Sequence, residues 1–326
     1  APFMGGGGGP AGWGGAIAVV PYEMYKIYGD KETFRRYLPK ILRYFDYLDS
    51  RSSGGLVCRE EEGGWCLGDW CPPEPITICE PFVNTALYVK QMMMTKEASE
   101  AIGESETAAM LEKRIEEKKQ AILNAYYSPQ TGSFIGDAQG ANSFAVDIGL
   151  GGERAFNNTK RKYDAADAFD TGIFGTDILT RVLFERGCAD TAFRLLTSTG
   201  KGSFYNMKKQ GATTIWENWD GERSHSHPMF GAVTRYLFSF ILGITQEKNS
   251  AGYEKIVIAP QIPDGLNRAS GHITTVRGKI AVSFIRTERE MDFYVTVPQK
   301  AWFTYGSDCE YELWEGENHI HIDFEE

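Results

Sequence analysis

The sequence predicts a mainly α-helical chain with a C-terminal all-β domain: an (α/α)6 toroid, N-terminally incomplete, followed by a small antiparallel β-sandwich. Three observations predict it. Residues 1–247 carry one apolar segment after another at three- and four-residue spacing. Residues 248–326 switch to short, partly alternating runs separated by turn residues. The helical segments are joined alternately by short turns and by long loops rich in Gly and Trp, as in helical hairpins set in series with functional loops at one end. Eight or nine helical segments are legible, fewer than a complete six-hairpin toroid requires.

The opening glycine run, Gly5 to Gly9, leads into Gly12-Trp13-Gly14-Gly15 and is read as a site loop entered midway, with sequence expected upstream. A helix over residues 16–28 follows and ends at Gly29, and Asp30 can cap the next. In that next helix Phe34, Tyr37, Leu38, Ile41, Leu42, Phe45 and Leu48 form one apolar face. Phe82, Val83, Ala86, Leu87 and Val89 mark a further helix running into residues 92–94, and Leu111, Ile115 and Ile122 mark a charge-rich one. Residues 176–186 close at Gly187, a residue suited to the position after a helix end, and 190–197 follow at once. Phe230, Val233, Leu237, Phe240 and Ile241 predict the last helix.

Strands are predicted at 255–259, 272–276, 279–286, 291–297 and 319–324, with turns at Pro260, Pro263-Asp264-Gly265, Arg277-Gly278 and Gly306-Ser307-Asp308. Ile280, Val282 and Phe284 alternate with Ala281, Ser283 and Ile285, which predicts a sheet covered on both faces. His319 and His321 alternate with Ile320 and Ile322 and are read as solvent-side strand residues rather than ligands.

Composition narrows the function. The 326 residues are 42% hydrophobic, enough for a substantial core, and 13% aromatic, with 7 Trp, 16 Tyr and 19 Phe, which favours a carbohydrate or small-molecule cleft. A net charge of −10 argues against a nucleic-acid partner. No apolar run reaches the length of a membrane span, and no signal peptide opens the chain. Compartment and oligomeric state are left open. Of six cysteines, Cys58, Cys66, Cys71 and Cys79 cluster without paired CxxC spacing; free thiols are expected, with no metal and no cofactor.

The densest chemistry lies in Ile215-Trp216-Glu217-Asn218-Trp219-Asp220, with His225 and His227 just behind. Indole faces stack on the apolar faces of sugar rings, and a carboxylate held beside them can deprotonate a water. The segment therefore reads as a glycosidase subsite with Glu217 as the catalytic candidate, against the plainer alternative of two packed tryptophans and a surface acid. Gly68-Asp69-Trp70 repeats the pairing of acid and indole. Asp69 is read either as orienting a sugar hydroxyl or as capping the next segment, Asp170 as a cap or a pocket carboxylate, and Trp65 as packing.

These residues carry a family likeness. Trp13-Gly14-Gly15-Ala16, Val20-Pro21-Tyr22, Tyr28-Gly29-Asp30, Gly68-Asp69-Trp70, Thr171-Gly172-Ile173-Phe174-Gly175-Thr176, Gly211-Ala212-Thr213-Thr214-Ile215-Trp216-Glu217 and the stretch from His227 to Gly231 with Gly243-Ile244 follow in order. Together they resemble the catalytic domain of bacterial α-L-rhamnosidases, glycoside hydrolase family 78. The resemblance implies an (α/α)6 barrel followed by a β-sandwich, and inverting hydrolysis of terminal α-L-rhamnosides. By resemblance Glu217 is the general base. Trp13, Asp69, Trp70, Trp216, Trp219 and His227 form the substrate-binding set, with Trp13, Trp70 and Trp216 lining the sugar pocket and His227 bonding sugar hydroxyls. The family's general acid lies in a motif upstream of the position that Trp13 matches. It is expected outside this chain, so that these residues alone are inactive or weakly active. Gly15 stands where many relatives carry Asp.

Two other functions compete. A carbohydrate-binding protein or pseudo-enzyme would keep the aromatic pocket without turnover. Another enzyme on the same toroid, such as another glycosidase, a phosphorylase or a uronate lyase, is the third; a lyase would place a Tyr or His base beside cations, and only Arg223 stands near the Trp216–Asp220 segment.

Overall fold

A computed structural model describes residues 11–58, 68–306 and 309–324. The glycine run before Pro10, together with Trp65 and Cys66, lies outside the described residues. The chain forms two compact units: residues 1–22, 31–182 and 194–232 in one, and 23–30, 183–193 and 233–326 in the other.

The first unit is built of helices, and the second also holds helical residues, within 23–28, 183–193 and 233–241. α1 (Ala16–Tyr28) ends at Gly29, and α2 (Lys31–Ser50) buries Phe34, Leu38, Ile41, Phe45 and Leu48 along one face. α3 (Glu80–Ile102) is buried on most of its circumference, because α2 and α4 (Ser105–Tyr126) both pack against it. Gly103, in the left-handed region at φ 86°, ends α3 so sharply that α4 starts two residues later. At the α2–α3 contact the Tyr88 ring lies 5.3 Å from that of Phe45, and its hydroxyl donates to the Phe45 carbonyl at 3.1 Å. Two short hairpins, β1 (Ser52–Ser53) with β2 (Leu56–Val57) and β3 (Tyr127–Ser128) with β4 (Ser133–Phe134), decorate this unit.

Three helices were not anticipated from the sequence. α5 (Ala141–Asp147) is short and almost wholly buried, so it lacks a polar face to set a period. α6 (Gly152–Ala165) buries Ala155, Phe156, Thr159 and Tyr163 under a strongly polar exterior. α7 (Ile173–Glu185) and α8 (Ala189–Leu196) match the expected pair, and α9 (Phe204–Lys209) is a single extra turn capped by Ser203, whose hydroxyl accepts from the Asn206 N–H at 3.0 Å. The expected last helix is irregular: a 3-10 segment Pro228–Val233, one α turn Thr234–Tyr236 and a π turn Leu237–Ile241. Among the described residues no helix is long and apolar enough to cross a membrane.

The second unit holds two four-stranded sheets. One has the order β11 (Cys309–Leu313), β10 (Ala301–Tyr305), β6 (Ile256–Ile258), β5 (Ile244–Gln246); the other β12 (Gly316–Asp323), β9 (Glu290–Val297), β8 (Gly278–Arg286), β7 (Arg268–Thr275). Every pairing is antiparallel except β6 with β10. Phe293 of β9 lies 4.9 Å from Phe303 of β10 and joins the two inner faces. The expectation that β8 is covered on both faces fails. Ile280, Val282 and Phe284 are buried, whereas Ala281 and Ser283 are half-buried and Ile285 is 54% exposed. Each sheet of a sandwich has one inner face, and small or polar residues at 281 and 283 tolerate the outer one. β5, β10 and β11 are strands that the sequence reading did not place.

Candidate active site

The local geometry of Glu217 is set by a tight return of the chain. The Glu217 N–H donates to the Ser224 carbonyl at 2.8 Å, and the His227 N–H donates to the Ile215 carbonyl at 2.8 Å. Gly221, at φ 77°, makes the turn; a Cβ there would stand 2.4 Å from the Trp216 ring. Thr214 Oγ1 donates to the His225 carbonyl and closes the base of the loop.

The Glu217 carboxylate is half-buried and each oxygen has one donor. Trp70 Nε1 donates to Oε1 at 3.2 Å, and the Ser224 backbone N–H donates to Oε2 at 3.3 Å. Two fixed donors orient it, while each oxygen retains a lone pair for a water. The Arg223 guanidinium lies 4.8 Å from the centre of the Trp70 ring, adding a cation beside the acid.

Asp69 takes the second of its two expected places, as a cap. It is fully buried, and its carboxylate accepts from the Gly172 N–H at 2.7 Å and the Gly175 N–H at 2.9 Å. Those amides belong to the first turn of α7, where an acid is favoured by the unpaired N–H groups and the helix dipole. The Ile173 N–H in turn donates to the Trp70 carbonyl at 2.8 Å. Burial pushes the Asp69 carboxyl up from 3.8 to about 7, against the opposing pull of the Gly175, Gly172 and Phe174 amides. Asp69 thus anchors the Asp69-Trp70 loop to α7, with both carboxylate oxygens engaged by backbone amides. Both glycines are required by close approach: a Cβ on Gly172 would lie 2.2 Å from the Trp70 carbonyl oxygen, and one on Gly175 would lie 2.5 Å from Asp69 Oδ2.

Two of the expected sugar-stacking indoles are packed inside. Trp219 is 2% exposed, enclosed by Phe230 at 4.2 Å, Phe204 at 5.3 Å and Phe169 at 6.0 Å, and its Nε1 donates to the Thr171 carbonyl at 3.1 Å. Trp216 is 6% exposed and stacked on the His225 ring at 4.4 Å. The apolar area of an indole rewards burial wherever its N–H or edge finds a partner, and that outweighs exposure here. Trp13 and Trp70 are half-buried, and Trp13 meets Phe174 edge-on at 6.1 Å. Trp13, Phe174, Trp70 and Glu217 are therefore linked through the start of α7.

His227 is half-buried, and its Nδ1 is buried with no hydrogen-bond partner among the described residues. Gly15 has a structural reason: a Cβ there would stand 2.1 Å from Gln91 Nε2, which donates to the Ala11 carbonyl at 2.8 Å. Asp170 accepts from the Tyr163 hydroxyl at 2.6 Å and pairs with Lys162 at 2.8 Å.

Cys71, expected only as one of the free thiols, is free and stands beside the site. It sits at φ 59°, strained for a residue with a Cβ, directly after Trp70. Burial first, then the Glu217 charge, pushes its thiol up to about 12, so it stays protonated and is no nucleophile at neutral pH. Its strain instead turns the chain that aims Trp70 at Glu217. Phe174 was visible only as part of its motif.

Residues 1–241 match the bacterial α-L-rhamnosidase 6 hairpin glycosidase domain, and residues 243–303 match the bacterial α-L-rhamnosidase C-terminal domain. The chain belongs to the bacterial α-L-rhamnosidase family. It is similar to the α-L-rhamnosidase of Alteromonas sp. (strain LOR), 26% identical over 314 residues, covering 88% of this chain and 33% of that one. An α-L-rhamnosidase of Streptomyces avermitilis is 28% identical over 298 residues, covering 86% and 27%. The chain thus spans about a third or less of these curated relatives. In structure it resembles the Streptomyces avermitilis α-L-rhamnosidase complexed with L-rhamnose, with a TM-score of 0.83, 22% identity and coverage of 95% and 33%. It also resembles the α-L-rhamnosidase from Dictyoglumus thermophilum, with a TM-score of 0.85, 17% identity and coverage of 97% and 40%. These likenesses show the rhamnosidase fold, an α/α toroid followed by a sandwich.

Proposed function

We propose that this chain serves the inverting hydrolysis of terminal α-L-rhamnosides, with Glu217 as the general base. The observation that carries this reading is the Glu217 carboxylate itself, held by Trp70 Nε1 at 3.2 Å and the Ser224 amide at 3.3 Å in a half-buried position beside indole and guanidinium. Such a carboxylate removes a proton from a water as that water attacks the anomeric carbon. Trp70, Trp13 and Phe174 supply apolar walls for a deoxy sugar, and the half-buried His227 bonds one of its hydroxyls. Trp216, Trp219 and Asp69 support the site from behind.

Inversion requires an acid on the leaving oxygen, roughly 6.5–9.5 Å from the base, so that the water fits between base and ring. The family resemblance assigns that acid to a motif upstream of the position of Trp13, so turnover of a rhamnosyl disaccharide by these residues alone is expected to be weak. An aryl α-L-rhamnoside has a good leaving group and depends mainly on the base. The test is proton NMR of the first sugar released from that substrate. Release of β-L-rhamnose supports the assignment, and release of the α anomer sinks it. Rhamnose binding without turnover of the aryl substrate would favour the binding-only alternative.

A further inference from the structure

Away from the helical unit, β9 and β12 bring together six polar side chains that the candidate active site does not use. Their register pairs Tyr294 with His319, Asp292 with His321 and Glu290 with Asp323. Alternation sends all six to the outer face, while Met291, Phe293 and Ile320 point inward and lock that register. The sequence alone reads the histidines as plain strand residues because it does not show which acids lie opposite them.

The arrangement is specific. His321 Nδ1 lies 2.9 Å from Asp292 Oδ1, and His321 Nε2 lies 3.1 Å from Asp323 Oδ1. Asp292 Oδ1 also meets His319 Nε2 at 2.7 Å, and the Tyr294 ring stacks on His319 at 4.8 Å. A carboxylate that accepts from Nδ1–H orients the ring and leaves Nε2 as the nitrogen turned toward a ligand. Nε2 shares a proton with Asp323, which a metal ion would displace, and ligand atoms of Glu290, His321 and Asp323 all lie within 4.8 Å of one another. Glu290 and Asp323 stand directly opposite on neighbouring strands, where like charges repel. A divalent cation at this point offsets that repulsion.

We propose that Glu290, His321 and Asp323 form a surface site for a divalent transition-metal ion of the Zn2+ type, with Asp292 orienting the His321 ring from behind. One imidazole nitrogen and two carboxylate oxygens are a borderline donor set that suits Zn2+ better than Ca2+ or Mg2+, which take oxygen alone. A fourth position stays open to water. The ion would clamp β12 to β9 at the end of the chain.

The test is titration of the whole chain with Zn2+ against a chromophoric chelator at neutral pH, repeated for His321→Ala and Asp292→Asn. All these side chains are on the outer face, so circular dichroism of the metal-free variants checks that each is folded. One ion per chain, lost in His321→Ala and weakened about ten- to a hundredfold in Asp292→Asn, is the expected result. Co2+ bound in the same place should show no thiolate-to-metal charge transfer. The proposal is overturned if no ion binds, if His321→Ala binds as tightly as the parent, or if the bound Co2+ reports a cysteine ligand.

Discussion

At the scale of the residue, the candidate site separates indoles by what surrounds them. Trp216 and Trp219 flank the catalytic candidate in sequence, yet both are buried. Trp70, far away in sequence, is the one whose N–H reaches Glu217. Trp219 has exchanged a sugar for Phe169, Phe204, Phe230 and the Thr171 carbonyl. Trp219→Ala should therefore act on stability, costing about 3–5 kcal/mol in a denaturant titration. An unchanged unfolding midpoint, with rhamnose affinity lost instead, would restore Trp219 to the sugar. Glu217 itself was legible because a carboxylate among indoles is a poor core composition. The partners of Glu217 were not, since contact between distant loops leaves no periodic trace.

Elements explain how that distant contact is made. The first turn of α7 presents the Gly172 and Gly175 amides to Asp69 and fixes Trp70 through the Ile173 amide. Because folding raises the Asp69 carboxyl from 3.8 to about 7, the folded state holds a proton that the unfolded chain releases. The stability it contributes is complete below about pH 3.8 and is lost as pH rises through about 7. Asp69→Asn keeps one acceptor and turns an amide donor toward the other N–H, at a cost of about 1–3 kcal/mol. The gap in melting temperature between parent and Asp69→Asn should thus narrow from pH 5 to pH 8; a gap independent of pH would contradict the burial argument. The ends of α1, α2 and α7 were readable from Gly29, Asp30 and Gly187. α5 was not, because a short helix buried all round has neither polar face nor period. The run from Pro228 to Ile241 has helical spacing but winds as 3-10 and π turns, a difference that apolar spacing does not encode.

On the scale of the whole molecule, the order of architectures was legible from the change of hydrophobic period, and the family matches agree with it: a helical-hairpin glycosidase domain and then a C-terminal domain. What the sequence overstated was the covering of β8, since Ile285 is open to solvent. The proposed function rests on one carboxylate. The measurement that tests it most directly compares the parent chain with Glu217→Gln in two assays, turnover of an aryl α-L-rhamnoside and equilibrium binding of L-rhamnose. Removing a positioned base is expected to lower kcat about 10²–10⁴-fold, with rhamnose affinity changed by no more than a few-fold. Turnover that survives the substitution, or affinity that falls as far as the rate, would contradict Glu217 as the general base.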